Sequence, residues 1–119
     1  MSAAAGDGAD RRVLADDAFG VRLEHEALPS EDVVTGDPTT ATLPLGEIGG
    51  AQVGLWEITA GTARDTEVDE IFVVLDGDGT VRFADGSTVE LGPGVVVRLR
   101  AGERTEWEIR STLRKVYIA

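Results

Sequence analysis

The residue in this sequence best placed to do chemistry is a carboxylate at the head of an apolar run. Glu70, preceded by Asp69, opens the stretch Ile71-Phe72-Val73-Val74-Leu75, and Asp76-Gly77 closes it. A carboxylate in that position must be exposed, paired with a cation, or protonated. Paired with Lys115 or an arginine, it is structural. Left unpaired, it is desolvated, its pKa is raised, and it becomes the best candidate for a general acid or base. Both readings stay open. Most other chemistries lack parts. The chain has no cysteine, so thiolate ligands, disulfides and a cysteine nucleophile are excluded. His25 is the only histidine. It cannot supply a multi-histidine metal site or a credible nucleophile triad, and it reads as a packed or rim residue. Gly77-Asp78-Gly79 lacks the strand–loop–helix context of a phosphate loop. Arg64, Asp65, Glu67 and Asp69 read as a solvated loop, with a carboxylate cluster for a hard cation the less favoured alternative.

Bulk properties narrow the partners. A chain of 119 residues that is 42% hydrophobic forms one domain with a real core. Its net charge of −11 repels phosphate backbones and anionic lipid, so neither nucleic acid nor membrane is expected as a partner. No apolar run approaches the roughly 20 residues that span a bilayer. The first residues, Met1 to Arg12, are small and polar, without an apolar signal core, and read as a disordered arm. Residues 13–119 read as the single domain. These features place the protein in the cytoplasm, and the absence of cysteine fits a reducing compartment.

The elements that must position Glu70 are short strands. Residues 20–28 alternate, with Val21, Leu23 and Ala27 against Arg22, Glu24 and Glu26, and predict a half-exposed strand. Residues 29–44 have two prolines flanking Thr39-Thr40 and no steady period, and read as a long loop or a sequence of turns. A strand over 51–58 puts Gly54, Trp56 and Ile58 on one face. Residues 61–68 read as a polar connection. The central run over 70–75 is a buried strand, followed by a turn over Asp76-Gly77-Asp78-Gly79. Asp85-Gly86 signals a hairpin between strands at 80–84 and 87–91. Gly92-Pro93-Gly94 and Ala101-Gly102 bracket a strand at 95–99, and two last strands cover 104–110 and 113–118. Short strands at such even spacing indicate an all-β sandwich or barrel.

Two segments of this pattern resemble the motifs of the cupins, small jelly-roll β-barrels. The first cupin motif ends in a Glu, six residues and a Gly, as do Glu70 and Gly77. The second has Gly, Pro, Gly, His and Asn at positions that here hold Gly94, Arg100, Gly102, Thr105 and Ile109, so the spacing is kept and three identities are lost. Gly54-Leu55-Trp56-Glu57, Asp69-Glu70, Trp107 and Arg114-Lys115-Val116-Tyr117 are similar to the ureidoglycine aminohydrolase-like branch, which includes ethanolamine-utilisation cupins. The resemblance covers residues 50–118. It implies a single-domain cupin β-barrel with Glu70 pointing inward. Cupin metal sites use two histidines of the first motif, one of the second, and the motif Glu. Counted back from Glu70, the first two fall at Ala63 and Asp65 or at Arg64 and Thr66, and the third at Thr105. None is histidine, so no metal and no other cofactor is expected.

If Glu70 points inward, strand alternation sends Phe72 and Val74 with it. Thr105 and Trp107 share a face, as do Lys115 and Tyr117. The expected ligand site therefore comprises Trp56, Glu70, Phe72, Thr105, Trp107, Lys115 and Tyr117. The expected function is metal-free binding of a small molecule inside the barrel. The alternative is an enzyme resembling the ureidoglycine aminohydrolase-type cupins, acting on a small nitrogenous or carboxylated metabolite. Alternation also turns Ile71, Val73 and Leu75 outward, where a solvated sheet should be polar. The chain's own N-terminal segment, a second sheet or a partner subunit must cover them, and cupin habit implies a homodimer.

Overall fold

The computed structural model describes residues 11–119. All but the last two residues of the arm expected over 1–12 lie outside the described residues. Among the described residues, nine strands form one antiparallel sheet that curls on itself into the all-β barrel that the cupin resemblance implies. They are β1 (Glu26–Ala27), β2 (Val33–Gly36), β3 (Thr39–Ile48), β4 (Ala51–Ile58), β5 (Gly61–Thr66), β6 (Glu70–Phe83), β7 (Thr88–Leu91), β8 (Val96–Leu99) and β9 (Arg104–Ile118). The path runs β1-β3-β4-β9-β5-β2, and β6 lies beside β9 while carrying β7 and β8.

The two long strands organise the barrel. β6 and β9 pair from Phe83 with Thr105 to Ile71 with Ile118. On its other edge, β9 pairs first with β5, Trp107 opposite Ala63, and then with β4, Lys115 opposite Trp56. β6 likewise changes partner, with Glu70 to Val73 against β8 and Gly79 to Arg82 against β7. Each long strand thus belongs to two parts of the wall and must bend between them. The ladder slips between Ile109 and Lys115 of β9, opposite Gly79 to Val74 of β6. Gly77 sits at this bend with φ of 101°. A Cβ there would lie 2.3 Å from the Thr112 carbonyl oxygen and 2.4 Å from Leu113 Cα. The Asp-Gly-Asp-Gly stretch is therefore a bend inside one strand and not the expected turn. Across it, Arg110 of β9 reaches Asp78 of β6 and Glu90 of β7.

Several other expectations are corrected. Only Glu26–Ala27 of the first alternating segment pairs as a strand. The chain turns at Asp17, whose carbonyl accepts from Val21 N at 3.0 Å, and residues 21–25 lie over the sheet without joining its ladder. The expected loop at 29–44 holds a 3₁₀ turn at Ser30–Asp32, all of β2 and the start of β3. The β-branched Thr39, Thr40 and Thr42 carry that strand, and Pro44 is tolerated at a register slip before Gly46. Residues 61–66 form β5, and the two strands expected over 104–118 are one. The Asp85-Gly86 hairpin forms as predicted, with Asp85 Oδ1 accepting from Ser87 N and Oγ.

The sheet's two faces carry two apolar clusters. The interior one joins Ile58, Phe72, Val74, Val81, Leu99, Trp107, Ile109 and Leu113 with their neighbours. The second lies on the outer face, where Leu55, Ala41, Leu75 and Val116 are covered by Ala18, Val21 and Leu23 from the N-terminal segment. Polar contacts pin that segment down. His25 bonds Thr39 Oγ1 at 2.8 Å and Glu57 Oε1 at 2.7 Å. Arg114, on the same Glu57, also donates to the Ala18 carbonyl at 3.1 Å. Burial by itself raises the Glu57 pKa, but hydrogen bonds from His25 and Arg114 outweigh it and hold the carboxyl below its usual range. The covering element is thus the chain's own N-terminal segment, as far as Leu75. Ile71, Val96 and Ile118 remain 46%, 66% and 45% exposed.

The bend at Gly77 admits no side chain. Gly77→Ala is expected to destabilise the fold by about 1–3 kcal/mol in urea denaturation, combining a strained φ with a backbone clash. A loss under about 0.5 kcal/mol, the scale of a neutral surface change, would show that the bend relaxes freely.

Candidate functional site

The interior cluster leaves one end of the barrel open as a cavity of about 350 Å³. Trp56, Glu67, Glu70, Trp107, Lys115 and Tyr117 line it, with Asp32, Arg64 and Asp65 toward the mouth. Each wall supplies residues by strand alternation. β6 begins with Glu70 and turns Phe72 to the same side. β9 contributes Thr105 and Trp107 before the slip and Lys115 and Tyr117 after it. Trp56 stands opposite Lys115 in the β4–β9 register. Gly54 stands opposite Tyr117, and a Cβ at Gly54 would meet Tyr117 Oη at 2.5 Å. That glycine gives the phenol its place against the strand.

Lys115 is the centre of the site. Its Nζ donates to Glu70 Oε2 at 2.6 Å, and the two side chains are 6% and 11% exposed. The ammonium also lies 4.2 Å from the ring centre of Phe72, 4.5 Å from Trp56 and 5.0 Å from Trp107. Trp107 packs edge-on to Trp56 at 5.6 Å and tilted against Phe72 at 5.7 Å. Burial pushes the Lys115 pKa down, and the adjacent Glu70 opposes this without cancelling it. Of the two readings of Glu70, the structure supports the paired one. A desolvated ammonium facing aromatic rings gains up to about 2 kcal/mol, which offsets part of its desolvation.

A second polar group was not legible as such in the sequence. Glu67, expected in a solvated loop, is only 6% exposed. Its Oε2 accepts from Thr105 Oγ1 at 2.5 Å and from Trp107 Nε1 at 3.0 Å. Burial raises its pKa, and Asp65 adds to the rise. The Asp65 carboxyl, nearer the mouth, is also raised, mainly by desolvation. The available signal was alternation, because Ala63, Asp65 and Glu67 share a face once residues 61–66 are read as a strand. Arg64 and Asp69 are exposed as expected, and Asp69 accepts from Ala101 N and Arg98.

The structure brings five of the seven expected site residues to the cavity wall: Trp56, Glu70, Trp107, Lys115 and Tyr117. Phe72 is buried behind them as one face of the lysine cage. Thr105 is buried as the donor to Glu67 and does not line the cavity. The residues present do not fit a cupin metal. The motif glutamate is engaged by an ammonium, and the positions of the histidines carry side chains without imidazole. Among the described residues, no three His, Cys, Asp or Glu side chains converge as a metal ion requires.

Comparison with known proteins follows the same lines. The family model of the EutQ-like cupin domain matches residues 45–117, more than half of the chain. The chain belongs to the EutQ-like cupin family. Among solved structures, this cupin is similar to a protein of unknown function from Pseudomonas syringae pv. tomato, at 18% identity and a TM-score of 0.74, over 86% of this chain and 45% of that one. It thus spans under half of that protein's length. It is also similar to Clostridium difficile EutQ, at 20% identity and a TM-score of 0.62, over 82% of this chain and 79% of that one. Ectoine synthase from P. lautus matches at 25% identity and a TM-score of 0.57, over 73% of this chain and 66% of that one. No curated protein matches the sequence. These likenesses show a cupin domain and no particular activity.

The caged ion pair yields a stability prediction. Lys115→Met keeps an apolar stem among the rings but leaves Glu70 buried without its cation. It is expected to cost about 3 kcal/mol in urea denaturation, and adding Glu70→Leu should recover most of that loss. A single-variant loss below about 1 kcal/mol, as for an exposed pair, would show that the pair is not desolvated in solution.

Proposed function

We propose that this cupin binds a small molecule in the barrel cavity without a metal ion. The observation that carries the reading is the Lys115–Glu70 pair within its aromatic cage, at the wall of an accessible cavity. Concave sites lined by aromatic faces with a few fixed polar groups are the usual form of small-molecule sites. Here the ammonium takes up the motif carboxylate that would otherwise be free for a metal. The cytoplasm, as expected from the sequence, remains the proposed location.

One observation favours a second reading, an enzyme of the ureidoglycine aminohydrolase-like kind acting on a small nitrogenous or carboxylated metabolite. Glu67 lines the cavity with a raised pKa, the property a general acid needs near neutral pH. The binding reading is preferred because the hydrogen bonds from Thr105 and Trp107 hold Glu67 as a fixed part of the cavity wall.

The same proposal includes a second copy of the chain as partner. Ile71 stands opposite Ile118 across β6 and β9, and Val96 stands opposite Val73 across β8 and β6. The exposed Ile71, Val96 and Ile118, with the half-buried Val73, lie beyond the part that the N-terminal segment covers.

Two measurements test these statements. Elemental analysis of tag-free protein is expected to find far less than one transition metal per chain, and chelator should leave the melting temperature unchanged. Near-stoichiometric Mn, Fe, Ni or Zn, lost together with stability in Glu70→Gln, would overturn the metal-free reading. Light scattering at roughly tens of micromolar is expected to give the mass of a dimer, whereas a monomer at that concentration would exclude a micromolar or tighter pair.

A further inference from the structure

The cavity's charges do not balance, and the imbalance falls on one side chain. Lys115 is committed to Glu70 and to three rings. Arg64, at the exposed mouth, donates to the Glu31 carbonyl at 3.2 Å. Glu67 is left with neutral donors only. Both of its hydrogen bonds fall on Oε2, and among the described residues none falls on Oε1 and no ion pair includes it. A buried carboxylate with no cation is costly. A glutamine would accept the same two hydrogen bonds without that cost. What glutamate adds at this position is negative charge at the cavity wall, reinforced by Asp65 toward the mouth. The half-buried ring of Trp56 lines the same space and offers a π face.

We infer that the cavity takes a small organic cation, a protonated amine or guanidinium-type group, with its charged nitrogen on Glu67 and its carbon portion against Trp56. This deepens the proposed function and rests on the barrel cavity being the ligand site. The ligand supplies the charge that the fold leaves out. A charge-assisted hydrogen bond to Glu67 and a cation–π contact with Trp56 act together on one nitrogen-bearing group. An anion of the same size meets Glu67, Asp65 and Glu70, with the one buried ammonium already bound.

The charged groups facing Glu67 set the pH dependence. Asp65 acts on it from β5 and Lys115 from β9, beside the neutral donors Thr105 and Trp107, and Glu70 of β6 lines the same cavity. Burial and Asp65 raise the Glu67 pKa, so acid pH protonates it and removes the grip on a cation. Affinity for a cation should therefore rise with pH through that raised pKa and then level off, in the range where the ligand stays protonated.

The chain's two tryptophans, Trp56 and Trp107, both line the cavity, so tryptophan emission reports on it directly. The probes are n-propylammonium and methylguanidinium chlorides against sodium propionate and 1-propanol, at matched ionic strength. With so few atoms, binding is expected at roughly millimolar concentration. The two cations should change emission saturably and the other two probes should not. Glu67→Gln, checked for its fold by circular dichroism, should weaken cation binding about tenfold and flatten its pH profile. Asp65→Asn should weaken it less, and it serves as the second variant if Glu67→Gln does not fold. Saturable binding of propionate or propanol without the cations would overturn this inference and leave the cavity reading standing. No response to any probe would count against both. Undiminished cation binding in both variants would remove the carboxylates from the site.

Discussion

The buried ammonium of Lys115 is the constraint on which the barrel's open end depends. A charge taken out of water must be answered by a counter-charge and by matched surroundings, or it destabilises the fold by several kcal/mol. Glu70 gives the counter-charge at 2.6 Å, and Phe72, Trp56 and Trp107 give three ring faces. Those five residues come from β4, β6 and β9. Holding the ammonium therefore fixes the spacing of three strands where the ladder has just slipped. The aromatic residues are as much part of the electrostatics as of the core.

That slip follows from the length of β6 and β9. Strands of 14 and 15 residues cannot stay straight within a small curled sheet. The bend is made where Gly77 accepts positive φ and where β9 changes partner from β5 to β4. It divides the inward residues of β9 into Thr105 and Trp107 on one side and Lys115 and Tyr117 on the other. The two groups meet around the cavity because they flank the same bend. On the outer face, the cost of exposing Leu55, Leu75 and Val116 is met by folding the N-terminal segment over them. The chain from His25 through Glu57 and Arg114 to the Ala18 carbonyl ties that segment to the two strands that also carry Trp56 and Lys115.

Pattern in the sequence determined a good deal. The punctuation by Gly, Asp and Pro, the apolar runs at 71–75 and 95–99, and the alternation around Trp107 give an all-β barrel, because strand period and turn chemistry are local properties. Motif spacing gave the inward direction of Glu70, and alternation then carried Phe72 and Val74 with it and set Trp107 on the same face as Thr105. Where local signals misled, tertiary pairing was the reason. Gly77 and Gly79 look like a turn, yet they bend a strand whose neighbours hold it on both edges. Thr39 to Pro44 looks like a loop, yet β4 supplies a partner from Thr40 to Pro44 and β1 pairs with Thr39.

What the sequence could not decide was which charges meet. Glu70 had several cations within reach of the argument; the β6–β9 register sets Lys115 opposite Val74 on the same inner face, and from there its long side chain, and not an arginine, reaches Glu70. Glu67 looked solvated, since nothing nearby in sequence covers it. Its burial comes from Thr105 and Trp107, 38 and 40 positions away, which reach it across the β5–β9 ladder. Residue type and period are written along the chain, so they set the fold and the face each side chain takes. Whether a carboxylate is paired, as at Glu70, or left without a cation, as at Glu67, depends on desolvation by residues far away in sequence, and only the tertiary structure assembles them.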